Sequence, residues 1–215
     1  MQGEHFWQEI LPPDADMSAL ADLRGGFPAR FEDGRVLVLP IRHLPDGKRA
    51  LASLIINQAS FAVVDALAAD LAARLRAYAP DVIVGLPTLG LTLAAAVAQK
   101  LGHSRYLPLG MSEKFWYRPE LSVPISSITT PNQKKQLFID PRILPLLEGR
   151  RVALVDDVIS SGVSMLAGIA LLAACGVKPV VLGGAMLQSE VWAEGLSSWP
   201  VEAVLRSPIL AVDGN

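Results

Sequence analysis

The residues best suited to chemistry are two adjacent carboxylates, Asp156 and Asp157, with a turn rich in serine and glycine just after them. They lie in the run Val152-Ala153-Leu154-Val155-Asp156-Asp157-Val158-Ile159-Ser160-Ser161-Gly162-Val163-Ser164. The apolar residues ahead of the acids predict a buried strand that delivers both carboxylates to its carboxyl-terminal tip. The turn then opens a helix, whose first N–H groups and dipole favour an anion such as phosphate. Ser160, Ser161 and Ser164 add hydroxyl donors, Gly162 lets the main chain come close, and Val163 contributes its N–H. Ionised, Asp156 and Asp157 accept hydrogen bonds from two vicinal hydroxyls and favour a magnesium ion shared with phosphate oxygens. A phosphorylated sugar has both halves. Each part also has a plainer reading, with Ser160 or Ser161 as a helix N-cap and the acid pair as a solvated strand end.

A second strand-to-helix turn, Gly85-Leu86-Pro87-Thr88-Leu89-Gly90, has glycines at both ends. By itself it reads as an ordinary strand-to-helix turn, its glycines allowing tight packing. A third candidate is the irregular stretch that begins GMSEKFWYRPEL at Gly110. Loops of that length in a compact domain are commonly functional. Lys114, Tyr117 and Arg118 are among its basic and aromatic side chains, and Glu113 and Glu120 are its acids. The competing reading makes Phe115 and Trp116 hydrophobic anchors and Lys114 a surface charge.

These turns need elements to hold them. Residues 36–41 predict a strand closed by the turn Pro45-Asp46-Gly47, and residues 1–35 read as irregular. Residues 60–78 carry Val63, Leu67, Leu71 and Leu75 at helical spacing. Strands are expected at 81–86, 105–109, 151–156 and 180–186, with helices at 91–101 and 164–174. Residues 136–139 suggest one arm of a hairpin whose other arm lies near Ser126. Strand and helix alternate, and the strands are nearly continuous Val, Ile, Leu and Ala. That predicts an α/β doubly wound fold with a mostly parallel sheet, covered by helices on both faces.

With 215 residues, 51% hydrophobic and 19% charged, the chain can bury one sizeable core. A net charge of −2 and no long basic run argue against a nucleic-acid or membrane-surface partner. No signal-like or membrane-spanning stretch is evident, so a cytoplasmic location is expected. The single cysteine, Cys175, lies in an apolar run and reads as a buried, inert thiol.

The segment from Val152 to Ser164 resembles the 5-phosphoribosyl-1-diphosphate (PRPP) motif of the type I phosphoribosyltransferases, the likeness extending over residues 80 to 187. The resemblance implies one domain, with a core at about 60–187 and a small hood from the terminal segments 1–59 and 188–215. It implies ribose hydroxyls on Asp156 and Asp157, and the 5′-phosphate on Ser160, Ser161, Gly162, Val163 and Ser164. Pro87, Thr88, Leu89 and Gly90 would face the diphosphate, although Leu89 stands where adenine-specific relatives carry arginine. Lys114, Tyr117 and Arg118 would lie on the loop that closes over the leaving group. Mg²⁺ would be held mainly through PRPP rather than by a protein site, and a homodimer is common in the family. Ser160 stands where 6-oxopurine-specific relatives place an acid, so the layout is nearest to the adenine type, in purine salvage. The implied activity is transfer of the phosphoribosyl group to a nucleobase; the alternative is a PRPP or nucleotide sensor without turnover.

Overall fold

The computed structural model describes residues 5–15, 26–125 and 135–212. The described strands are β1 (Gly26–Arg30), β2 (Val36–His43), β3 (Arg49–Ala52), β4 (Val82–Gly85), β5 (Leu107–Pro108) and β6 (Ser122–Ile125). They continue as β7 (Lys135–Phe138), β8 (Val152–Ile159), β9 (Pro179–Gln188), β10 (Val201–Ser207) and β11 (Ile209–Ala211). The helices are α1 (Phe61–Leu75), α2 (Gly90–Lys100), α3 (Val163–Ala174) and α4 (Trp192–Leu196).

The core is a five-stranded sheet in the order β10-β9-β8-β4-β5, with every neighbouring pair parallel. Parallel strands buried on both faces need apolar side chains on both, and Val152 through Val155 are all buried. Alternate residues serve the two sides. Ala153 and Val155 join the core cluster under α1 and α2, while Val152 and Leu154 join the one under α3. Helix α1 starts where Ser60 Oγ accepts the Val63 N–H at 3.2 Å. Its buried positions, among them Val63, Leu67, Leu71 and Leu75, form the stripe that the spacing predicts.

A second sheet, in the order β1-β2-β3-β11, is antiparallel and forms the hood. The buried Gln188, at the end of β9, donates from Nε2 to the Ala52 carbonyl at 2.7 Å and ties hood to core. Three expectations change here. Residues 26–30 are a strand, not irregular; Pro28 is tolerated because β1 is an edge strand. Val201–Ser207 is the edge strand of the core sheet rather than hood, so the carboxyl-terminal contribution to the hood is Ile209–Ala211. Cys175 is only partly buried, at the end of α3, and burial pushes its thiol up. The expected hairpin forms between β6 and β7; its partner arm is Ser122–Ile125, and Ser126 lies outside the described residues. Among the described residues no helix is long and apolar enough to cross a membrane.

Candidate functional site

Chain order and sheet order disagree at one place. From β4 the chain moves outward to β5, then crosses back to β8 and continues outward through β9 and β10. The switch falls between β4 and β8. Connections there leave in opposite directions and open a crevice at the carboxyl ends of the strands. The two composition-marked turns flank that crevice.

Strand β4 ends at Gly85, which pairs with Val155, and the Leu86 N–H donates to the Val155 carbonyl at 2.9 Å. Asp156 is the next residue of β8. On its other edge β8 stays paired with β9 as far as Ile159 and Leu187. The acid pair therefore lies inside a strand that one neighbour has left, not at a strand tip as the sequence suggests. Asp156 and Asp157 are each only 8% exposed, so the solvated strand end is excluded. The Asp157 N–H donates to Asp156 Oδ1 at 2.9 Å. Burial pushes the Asp156 carboxyl well above the usual carboxylate range, and the charge of Asp157 adds to it. Asp157 is also raised, again by burial.

Gly90 opens α2 directly against Asp156. A Cβ at Gly90 would stand 2.6 Å from Asp156 Oδ1 and 2.8 Å from Asp156 Cα, so only glycine fits. Pro87 and Leu89 are half-buried and Thr88 is exposed; the Pro87–Thr88 peptide is cis. Leu89 packs against the main core and presents no polar group to the turn.

Beyond the acids, Asp156 and residues 158–165 line a small hollow of ≈ 80 Å³, room for one tetrahedral oxyanion. Gly162 is the N-cap of α3 at φ +79°, a conformation that glycine adopts freely. No side chain caps the helix, so Ser160 and Ser161 are not N-caps. The first intrahelical bond runs from the Leu166 N–H to the Gly162 carbonyl at 2.9 Å, leaving the earlier N–H groups for a ligand.

The structure thus brings together Asp156, Asp157, Gly90 and the turn from Ser160 to Ser164. Lys114, Tyr117 and Arg118 do not join them; none lines the hollow. Their loop leaves the carboxyl end of β5, where the Leu109 N–H donates to the Gly85 carbonyl at 2.9 Å, beside the turn from Gly85 to Gly90. Lys114, Arg118, Glu113 and Glu120 are exposed. Phe115 is 97% exposed and no anchor. Tyr117 is half-buried, its ring 6.0 Å from that of Phe138, and burial raises its hydroxyl.

A cluster that the sequence reading missed holds the root of this loop. Trp116 Nε1 donates to Asp140 Oδ2 at 3.4 Å, and the Arg142 guanidinium lies over the Trp116 ring at 4.8 Å. Arg142 also donates to both Asp140 oxygens, and that hydrogen bonding brings the Asp140 carboxyl down to about 2. The signal was Asp140-Pro141, an N-cap followed by proline at the first position of a short helix.

A family model described as Phosphoribosyl transferase domain matches residues 51–189, more than half of the chain. No curated protein matches. Among solved structures, the adenine phosphoribosyltransferase of Thermoanaerobacter pseudethanolicus is 20% identical, over 67% of this chain and 81% of that one, with a TM-score of 0.58. That of Leishmania tarentolae is 18% identical, over 91% and 89%, also at 0.58. The Giardia lamblia enzyme complexed with 9-deazaadenine is 22% identical, over 67% and 80%, at 0.57. At such identities the likeness is one of fold. The family match settles the assignment, and a buried acid pair beside a serine- and glycine-rich turn at the switch point accords with it: the chain belongs to the phosphoribosyl transferase domain family and is a phosphoribosyltransferase.

Proposed function

We propose that this phosphoribosyltransferase moves the 5-phosphoribosyl group of PRPP to adenine and releases diphosphate. The observation that carries the reading is the contact of Gly90 with Asp156 across the β4/β8 crevice, next to the oxyanion hollow. One ligand can then reach both turns at once. The 5′-phosphate takes the free N–H groups and hydroxyls from Ser160 to Ser164, and the ribose hydroxyls donate to Asp156 and Asp157. The main chain of Pro87 to Gly90 faces the diphosphate.

In the reaction the bond from the anomeric carbon to the diphosphate oxygen breaks and a bond to a ring nitrogen of the base forms. The base loses a proton. Holding both reactants in line supplies much of the acceleration. Lys114, Tyr117 and Arg118 contact the leaving group once the loop closes, and closure excludes water that would trap the cationic sugar.

Among the described residues there is no cluster of three or more side chains able to hold a metal. Magnesium commonly binds through one or two carboxylates plus substrate phosphates, and the Asp156–Asp157 pair fits that demand. Bound with PRPP, it would neutralise diphosphate charge.

Ser160 supports adenine over 6-oxopurines, and the relatives named above are adenine enzymes. The test is base-dependent release of diphosphate from PRPP over a panel of bases. Adenine is expected to be the best acceptor, and Asp156→Asn with Asp157→Asn to abolish turnover. Tight PRPP binding without turnover on any base would instead mark a sensor.

A further inference from the structure

We infer a second anion site at the opposite end of the sheet, for a small organic oxyanion carried on an apolar ring. It lies at the amino ends of β4 and β5, where the loop after α2 meets the segment leading into β8. The hollow there measures ≈ 360 Å³, within the range of small-molecule pockets.

Its rim is cationic. Arg105 and Arg150 both line it, and among the described residues neither side chain has an ion-pair or hydrogen-bond partner. The contrast with Arg151 is informative, because that guanidinium is occupied by the Tyr78 and Ala79 carbonyls. The one carboxylate on the rim, Asp81, is itself engaged: its Oδ2 accepts the Arg151 N–H at 2.8 Å. Ser104 adds a hydroxyl, and the half-buried His103 lines the hollow with its imidazole. Unpaired guanidinium forks match a phosphate or carboxylate bidentately. The remaining wall is apolar, from Leu107, Pro145 and Leu146, and Leu146 is 36% exposed. Cationic rim and apolar wall together select an oxyanion with a ring attached, not a free ion.

This site shares no residue with the hollow at Ser160–Ser164, so the two can be read separately. Phenyl phosphate and benzoate would be titrated onto the full chain, following the His103 imidazole and the Gly162 amide by NMR. A saturable His103 shift with either probe is expected, the tighter probe telling which oxyanion is preferred. Inorganic phosphate should bind about tenfold more weakly than phenyl phosphate, for want of the buried ring. The double variant Arg105→Ser/Arg150→Ser, exposed positions that leave the core intact, should weaken the His103 response tenfold or more and leave Gly162 unchanged. A response at Gly162 alone would overturn the second site. So would a His103 response of equal affinity in the double variant.

Discussion

Replacing Gly90 with alanine places one methyl group in the gap between α2 and β8. The nearest atoms are Asp156 Oδ1 at 2.6 Å, Asp156 Cα at 2.8 Å and the Val155 carbonyl oxygen at 3.2 Å. Carbon atoms meet comfortably at about 3.5–4.0 Å, so the helix terminus must retreat by roughly 0.7 Å or more from the strand backbone. Side-chain rotation cannot relieve a contact with Cα. Overpacking of this kind costs about 1–3 kcal/mol, against about 0.5–1 kcal/mol that alanine gains over glycine in an open helix. Gly90→Ala should therefore lower the melting temperature by roughly 2–4 °C per kcal/mol lost. Turnover and PRPP affinity should fall further than stability does, because the retreat separates the turn from Gly85 to Gly90 from the acid pair. Gly110→Ala is the control: nothing lies within 4 Å of the place its methyl would take, and a change within about 0.5 kcal/mol is expected. Urea midpoints and initial rates at saturating base would be measured for both. A Gly90→Ala protein as stable as wild type with undiminished PRPP affinity would refute the close approach, and with it the reason for coupling the two turns.

Burial holds the Asp156 carboxyl above its unfolded value, so its favourable contribution is full below the ordinary carboxylate range and lost as pH rises through the raised value. Asp156→Asn should accordingly be more stable than wild type at pH 7 to 8 while inactive, the advantage vanishing towards pH 4 in urea titrations. Gly162→Ala should cost about 1–2 kcal/mol, because alanine resists φ +79°, and should raise the KM for PRPP more than it lowers kcat. For Asp140 the sign is opposite: its carboxyl is held at about 2, so the Trp116 anchor should persist above the unfolded value of 3.8 and loosen as pH falls through 2. Tryptophan emission lost over that interval, and absent from Trp116→Phe, would verify it.

Much of the core was legible because β8 is buried on both faces and its apolar run leaves no other placement. The extent of that strand was not. Aspartate is a poor strand former, and only the pairing of Val158 and Ile159 with Met186 and Leu187 carries β8 past the acids. Strand β10 escaped notice for the opposite reason. As an edge strand it exposes Arg206, and its mixture of charged and apolar residues reads as surface. The turn from Ser160 to Ser164 was readable from composition, but Gly90 carried no local hint of its neighbour: the contact with Asp156 joins two distant parts of the chain and exists only through strand order. The same holds for Arg105 and Arg150, which meet because β5 and β8 flank β4.

The position of the acid pair explains why burial and function coincide. A carboxylate inside a sheet normally meets neighbouring strands on both edges and finds no room for a ligand. Here β4 stops one residue short of Asp156 while β9 continues, so β8 is rigidly held on one edge and open on the other. Rigidity fixes the direction of the carboxylates without water to solvate them, and that is what raises them. Hydroxyl donors and a divalent cation would favour the ionised form. Binding of magnesium and PRPP is therefore expected to release protons, visible as a dependence of the binding heat on the ionisation enthalpy of the buffer. An apparent binding enthalpy that is the same in PIPES and Tris would contradict the reasoning, since a pair already ionised has no proton to give up.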